Sequence, residues 1–229
     1  WCAINLLVVS LLIAAAVTAC SPASTGNSPQ ENDAQTKEAS AQTADASTMR
    51  VSYIDVGQGD SEFIELPNGE TLLIDAGTNE AGSDVVEYIQ SLGYTSIDYV
   101  VATHPHEDHI GGLDDVISSF DIGDIYMPKV NADTKTYEDV LDAIAAKNLI
   151  IFTAHAGVSL VDADNLSVEM LAPVSDSYDD LNNYSAVIKV VYGNTSFLFT
   201  GDAEEQAEAE ITDDVKADVL KVGHHGSST

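Results

Sequence analysis

The segment His104-Pro105-His106-Glu107-Asp108-His109 constrains the fold of this chain more than any other feature. It follows the short apolar stretch 99–102, which is typical of a buried strand. Imidazole and carboxylate groups are the ligands that zinc, manganese and iron prefer. A single histidine is common in a solvated loop at a strand end, but three histidines and an aspartate within six residues indicate a metal site.

The spacing within this segment predicts how its side chains divide between metal ions. Pro105 favours an extended backbone at His104, and residues two apart in an extended backbone share a face. His104 and His106 are therefore expected to present nitrogens to one metal ion. Asp108 and His109 lie where the chain is expected to turn into a helix, and they are predicted to point toward a second ion.

Charge and cysteine content narrow the classes of function. Eight Lys and Arg residues stand against 38 Asp and Glu, which gives a formal net charge of −30. Tight binding of a long nucleic acid needs clustered basic residues, so this composition disfavours it. Cys2 and Cys20 both lie near the amino terminus, so the metal ligands of the rest of the chain must be His, Asp or Asn.

The first 48 residues are predicted to export and tether the protein. Residues 4–17 form an apolar run that is short for a membrane span and ends in small residues. Val17-Thr18-Ala19-Cys20 resembles a bacterial lipobox, so residues 1–20 are interpreted as a lipoprotein signal peptide with Cys20 lipidated. The alternative is an uncleaved anchor helix. Residues 21–48 lack aromatic and branched aliphatic side chains, which predicts a disordered linker.

The start of the printed sequence bears on the same interpretation. The chain begins at Trp1, and no Lys or Arg precedes the apolar run. We therefore expect that the natural start of the protein lies upstream of this residue.

The hydrophobic pattern from residue 49 onward predicts an α/β (α+β) domain, in which two sheets lie between layers of helices. Apolar residues at helical spacing predict four main helices, and Gly193-Asn194 predicts the clearest hairpin. The predicted helices are 83–92, 113–120, 137–147 and 203–211, and the hairpin strands are 186–192 and 196–200. Gly82 or Ser83 is expected to cap the first helix.

Four motifs in this order resemble those of the metallo-β-lactamase fold superfamily. Besides the histidine segment, they are Leu73-Ile74-Asp75-Ala76-Gly77, Leu198-Phe199-Thr200-Gly201-Asp202 and Leu220-Lys221-Val222-Gly223-His224-His225-Gly226-Ser227. The finer wording is most similar to the extracellular metallohydrolase domain of ComEC/Rec2-type DNA-uptake proteins. The phrases that carry this similarity are Asp55-Val56-Gly57-Gln58-Gly59-Asp60, Asn182-Asn183-Tyr184-Ser185-Ala186-Val187 and the His-His-Gly-Ser ending.

The resemblance implies a fold and a set of ligands. The fold would be a four-layer αββα sandwich over residues 49–229, and the family's domain continues further, so the carboxyl-terminal end is expected to be incomplete. Asp75 would orient the histidine loop, although it would also suit a simple turn. Asp202 would bridge two metal ions, although it would also suit a helix cap. His224 is the preferred last ligand, with His225 as a reserve or substrate contact.

One departure from the superfamily pattern concerns the metal held by His104 and His106. A third histidine often lies between the histidine segment and the bridging aspartate, and here only His155 is available. It lies too early and is interpreted as a surface histidine. The ComEC-like pattern has Asn182 and Ser185 on that side of the site, so one or two bound metal ions are expected.

The resemblance implies a metal-dependent hydrolase, with zinc or manganese ions that activate a water molecule. Asp108 would orient this water or accept its proton, while Lys221 and Asn182 would neutralise charge developing on the substrate. The expected substrate is a phosphodiester, and DNA is disfavoured by the acidic surface. Three alternatives stay open: hydrolysis of a small ester, lactone or cell-wall phosphodiester, a tethered metal-containing binding module, or an inert structural lipoprotein.

Overall fold

The structure, a computed structural model, describes residues 48–227 of the chain. The predicted signal peptide and nearly all of the predicted linker lie outside the described residues, so these assignments stay predictions. Within the described part, no helix is long and apolar enough to cross a membrane.

Six strands form the first sheet in the order β1-β2-β3-β4-β5-β6. The β1-β2 and β2-β3 pairs are antiparallel, and the three remaining pairs are parallel. The strands are β1 Arg50–Tyr53, β2 Glu62–Glu65, β3 Thr71–Ile74, β4 Ser96–Val101, β5 Asp121–Met127 and β6 Ile151–Thr153. Parallel neighbours need crossovers, and these contain the helices α1 Gly82–Ser91, α2 Glu107–Ile110, α3 Leu113–Ser119 and α4 Lys135–Ala146.

Five strands form the second sheet in the order β11-β10-β9-β8-β7. All neighbours are antiparallel except β10 and β11, which are parallel and are connected through helix α5. The elements are β7 Ser159–Ala163, β8 Leu166–Ala172, β9 Val187–Tyr192, β10 Thr195–Phe199, α5 Glu205–Glu210 and β11 Val219–Lys221.

Alternation along the strands of the first sheet builds two separate cores. Phe63 and Val100 face the helical layer, where they pack in one cluster with Val85, Ile117 and other apolar residues of α1, α3 and α4. Their neighbours in sequence, including Ile64 and Val101, face the second sheet and pack against Val168, Ile188 and Phe199. A smaller cluster on the far side of the second sheet contains Leu198 and Ala207 of α5. The predicted four-layer αββα sandwich is therefore confirmed.

Two predicted helix starts are wrong. Helix α5 begins at Glu205 with Glu204 at its cap position, so Asp202 does not cap it. Helix α1 has Ala81 at its cap position, and neither Gly82 nor Ser83 serves there. Asp202 lies in the turn before the helix, where its backbone N–H donates to the Ser185 hydroxyl at 3.1 Å.

The sheet register brings the four motifs to one edge of the sandwich. Ile74 of β3 lies opposite Val101 of β4, so Asp75 and the histidine segment leave adjacent parallel strands side by side. In the second sheet, Phe199 of β10 lies opposite Lys221 of β11. The chain therefore gathers its polar motifs where the carboxyl ends of parallel strands meet, which is the common place for a site in such sheets.

We expect Ile117→Ala to lower the free energy of unfolding by about 2–5 kcal/mol, since it removes buried methyl groups and leaves a cavity. Ile117 is fully buried between α3 and the first sheet. Urea denaturation measures the change. The matched control is Ile150→Ala, because the Ile150 side chain is 71% exposed. This control is expected to change the free energy of unfolding by no more than about 0.5 kcal/mol. Equal losses in the two variants would contradict this packing.

Candidate metal centre

One carboxylate oxygen, Oδ2 of Asp202, has four imidazole nitrogens around it. Nε2 of His109 lies at 3.1 Å and Nε2 of His225 at 3.4 Å. Nε2 of His104 lies at 3.8 Å and Nε2 of His224 at 3.9 Å. Imidazole nitrogens that converge on a shared carboxylate are a donor set suited to transition-metal ions.

His104 and His106 are neighbours in this arrangement. Nε2 of His104 lies 3.0 Å from Nδ1 of His106, so the two side chains share a face as their spacing predicts. The other ring nitrogen of His104 lies 3.0 Å from the Thr103 hydroxyl oxygen, and the ring is fully buried. Their nitrogens are therefore held together at the strand end by the backbone geometry of the segment itself.

Asp75 holds the His109 ring from behind. Its Oδ2 lies 2.8 Å from Nδ1 of His109, and it accepts hydrogen bonds from the Thr103 N–H at 2.8 Å and the Thr103 hydroxyl at 2.6 Å. Asp75 is fully buried and adopts a left-handed backbone conformation, with φ of 54°. A carboxylate on the far ring nitrogen orients a histidine toward a metal ion. This is the supporting position that the sequence predicts for Asp75.

The two consecutive histidines both face the site, which sequence spacing alone does not predict. His224 and His225 have φ values of 46° and 53°, a conformation that L-residues rarely adopt and that clusters at functional sites. Nε2 of His225 lies 3.3 Å from Oδ2 of Asp108, while Nδ1 of His224 lies 3.5 Å from Glu204. The geometry therefore brings His225 to Asp108, and the preference for His224 as the last metal ligand stays a prediction.

Asp108 and His109 lie in the single turn of α2, where the sequence predicts that the chain turns into a helix. His106 precedes this helix in an extended conformation, at its cap position. Asp108 is partly exposed, whereas His109 is fully buried. Asp108 is therefore a carboxylate that both solvent and the histidine cluster reach.

The three other predicted site residues bind protein groups. The Lys221 ammonium forms an ion pair with Asp60 and donates to the Gly201 carbonyl at 3.0 Å. The Asn182 side-chain amide donates to Glu204 at 3.0 Å. The hydroxyl of Ser185 accepts the Asp202 N–H described above. Ser185 thus supports the site through the backbone of Asp202.

Asp60 and Glu204 belong to the site but have no predicted role in the sequence analysis. Ligand-type atoms of Asp60, His109, Asp202 and His225 all lie within 4.8 Å of one another. Asp60 is only 6% exposed, and the sequence signal that points to it is its place at the end of the ComEC-like phrase of residues 55–60. Glu204 accepts from both Asn182 and Asn183, at 3.0 and 3.3 Å.

His155 lies apart from this cluster. Its Nδ1 contacts the Ala156 carbonyl at 2.9 Å, and it lines a small cavity with Lys129 and Tyr184. The structure does not bring it to Asp202, in agreement with the interpretation that it is not the third histidine.

Burial and charge act against each other in the cluster. Burial, which disfavours a charged imidazole, together with the nearby His109, holds the pKa of His104 well below its ordinary value. Burial acts on His109 in the same direction, but the Asp202 and Asp75 carboxylates outweigh it and raise its pKa to about 10. Burial tends to raise the pKa of Asp202, but the His109 ring outweighs it and lowers the value. The positively charged form of the His109 ring is therefore stabilised by the neighbouring Asp202 and Asp75 carboxylates.

Several buried polar atoms of the site are suited to a bound cation. Within residues 48–227, Oδ1 of Asp202 and Nδ1 of His224 are buried and have no hydrogen-bond partner. Buried polar atoms without a partner are costly, and a metal ion would satisfy a nitrogen and a carboxylate oxygen together. The residues present therefore fit the divalent ions that the sequence predicts.

An apolar cavity of about 410 Å³ lies elsewhere, beside α5 and β11. Its lining includes Val187, Leu198, Ile211 and Leu220, and Glu208 is its one ionisable residue. A cavity with these walls lacks convergent polar groups, so the chemistry of the molecule is assigned to the histidine cluster.

The sequence model of the family described as "Metallo-beta-lactamase superfamily" matches residues 54–229. ComE operon protein 3 of Bacillus subtilis (strain 168) is 29% identical over 197 residues, which cover 77% of this chain and 25% of that protein. Recombination protein 2 of Haemophilus influenzae is 29% identical over 188 residues, which cover 80% of this chain and 22% of that protein. The chain therefore spans about a quarter of the length of these relatives.

Among solved structures, Zn²⁺-bound PqqB from Methylobacterium extorquens has a TM-score of 0.48 and 15% sequence identity to this chain. The match covers 70% of this chain and 58% of that chain.

We expect Gly59→Ala to disrupt the site, because a Cβ at this position would lie 2.1 Å from the Asp108 carbonyl oxygen. The matched control is Gly69→Ala, which also has a positive φ but has no described atom within 4 Å of the added carbon. The control is expected to lose about 1–2 kcal/mol through backbone strain alone. Urea denaturation should show a clearly larger loss for Gly59→Ala, and equal losses would contradict the close approach.

Proposed function

The chain belongs to the metallo-beta-lactamase superfamily, and on this premise we propose that it is a metal-dependent hydrolase that cleaves phosphodiester bonds outside the cytoplasm. The observation that carries this proposal is the convergence of four imidazole nitrogens on Oδ2 of Asp202, at 3.1 to 3.9 Å. A shared carboxylate with imidazoles around it is suited to hold one or two divalent ions.

The proposed ligands divide into two groups around Asp202. His104 and His106 would hold one ion, since their nitrogens lie 3.0 Å apart. Asp108, His109 and His225 would hold the other ion. His224, which lies beside Glu204, is the alternative ligand to His225. Zinc and manganese both suit this set of nitrogen and oxygen donors.

A divalent ion bound here would act as a Lewis acid and lower the pKa of a coordinated water toward neutrality. The protein groups then orient the reactants. Asp108 is the solvent-accessible carboxylate beside His225, so we assign it to accept the proton of the attacking water. Asp202 is fixed by its backbone bond to Ser185, which keeps its side chain aimed at the imidazoles.

The substrate is inferred from the relatives and limited by charge. One relative is named Recombination protein 2, and another, from Neisseria gonorrhoeae, is named Competence protein ComA. The ComEC-like motifs of residues 55–60 and 182–187 point in the same direction. The net charge of −30 repels a long polyanion, so a small phosphodiester or a short single strand fits better than duplex DNA. A lactone, small ester or cell-wall phosphodiester is the alternative substrate.

A second candidate is a tethered binding module that holds metal without turnover. The observation that favours it is the presence of Asn182 and Ser185 where the superfamily often has a third histidine. Both side chains are buried and bonded to protein groups. The activity measurement below separates the two functions.

We expect His106→Ala to lower hydrolysis of bis(p-nitrophenyl) phosphate at least about 100-fold, since a catalytic metal ion supplies several kcal/mol of transition-state stabilisation. The assay uses purified protein with zinc and with manganese, and elemental analysis gives the metal content. His155→Ala, which alters a histidine outside the cluster, should retain the activity. Turnover of lactones alone would favour the alternative substrate. Bound metal with no turnover on either would favour the binding module.

The proposed location rests on the segment before the described domain. We assign the protein to the outer face of the bacterial membrane, anchored through a lipid on Cys20. In cells fed a labelled fatty acid, the protein should carry the label, and Cys20→Ala should lose it and release the protein from the membrane fraction. A label that persists in Cys20→Ala would contradict this anchor.

A further inference from the structure

We propose that Asp60 and Lys221 form a positioning pair that aims His225 at the metal ion, and that Asp60 is not itself a ligand. This inference rests on the proposed metal site and names two residues that would shape it without touching the ion. It concerns the second of the two ion positions, the one shared by Asp108 and His109.

The two ring nitrogens of His225 face different carboxylates. Its Nε2 faces Asp202 and Asp108, at 3.4 and 3.3 Å. Its other nitrogen, Nδ1, lies 3.6 Å from Oδ1 of Asp60. The two nitrogens point to different sides of an imidazole ring, so Asp60 lies behind the ring and the shared carboxylate lies in front of it.

The same arrangement recurs at His109, where the rear carboxylate lies within hydrogen-bond distance of the ring. Nδ1 of His109 lies 2.8 Å from Asp75, and its Nε2 lies 3.1 Å from Asp202. Asp60 also approaches this rear nitrogen, at 3.7 Å. Histidines that bind metal commonly place a carboxylate on the far ring nitrogen, which fixes the tautomer and the ring orientation. Asp60 therefore lies behind His225 on the side where Asp75 lies behind His109, at 3.6 Å rather than 2.8 Å.

The Lys221 ammonium balances the negative charge of the buried Asp60 carboxylate. The Lys221 ammonium pairs with Oδ2 of Asp60 and lies 4.0 Å from Oδ1 of Asp202, with its side chain only 11% exposed. A buried carboxylate without a partner is strongly unfavourable. The ammonium thus compensates one oxygen of Asp60 and leaves the other, Oδ1, directed at His225.

Backbone contacts make the pair rigid. The Asp60 N–H donates to the Asp108 carbonyl at 3.3 Å, and the Asp60 carbonyl accepts from the Gly77 N–H at 2.9 Å. Lys221 is fixed at the end of β11, where its carbonyl accepts from the Thr200 hydroxyl at 2.8 Å. Asp60 and Lys221 therefore connect the loop before β2 with the segment that carries His225.

The test compares the unaltered full chain with its Asp60→Asn variant. Both proteins are measured after metal removal and again after addition of Co²⁺ or Mn²⁺. Asp60→Asn is expected to keep the metal stoichiometry of the unaltered protein, to lower metal affinity about 10–100-fold, and to shift the visible spectrum of bound Co²⁺. Elemental analysis, a chelator competition and absorption spectroscopy measure these. Asp133→Asn, an exposed carboxylate elsewhere, should change none of them.

Lys221→Met provides an independent measurement in the metal-free protein. Removing the ammonium alone should lower the melting temperature, because Asp60 then stays buried and unpaired. The double variant Asp60→Asn/Lys221→Met should have a higher melting temperature than Lys221→Met alone. Two residues that act independently would not produce this recovery. Additive losses would overturn the pairing.

Two further results would overturn the proposal. Unchanged affinity and spectrum in Asp60→Asn would show that Asp60 does not position His225. Loss of one whole equivalent of metal would show that Asp60 is a ligand. Absence of metal from the unaltered protein would instead refute the proposed function, so the two failures are distinguishable.

Discussion

The Asp202 carboxylate and the imidazoles around it are the interaction on which the arrangement of this site depends. His104 and His109 are fully buried, and their Nε2 atoms both face Asp202. Buried imidazoles and carboxylates are stable together only when each has a partner, either a proton or a metal ion between them. The surrounding residues, such as Asp75 and Ser185, act by fixing the directions in which these donors point.

Backbone strain and close approach maintain this arrangement. Asp75, His224 and His225 adopt left-handed conformations, and all three lie in the site. Such conformations persist only where the surrounding contacts determine them, and here the contacts come from both sheets. Gly59 lets the loop before β2 lie directly on the Asp108 backbone, which no side chain would allow. The strained residues and the close contact together bring distant motifs into one cluster.

Charge is organised differently inside the site and over the whole molecule. The chain carries a formal charge of −30, yet Lys221 lies inside the site beside Asp60 and Asp202. A buried ammonium next to two carboxylates reduces their mutual repulsion before any ion binds. In the proposed function, the acidic surface disfavours a long polyanionic substrate. Within the site, positive charge is stabilised on the His109 ring beside Asp202 and Asp75.

Local sequence determined the layers of the fold and the residue types of the site. Hydrophobic periodicity predicted helix α3 and the β9–β10 hairpin to within one or two residues, because these elements depend on neighbours in sequence. Only the tertiary structure decided that His225 faces Asp108 and that Asp60 pairs with Lys221. These contacts depend on left-handed dihedral angles and on the meeting of two sheets, and no local pattern encodes either of them.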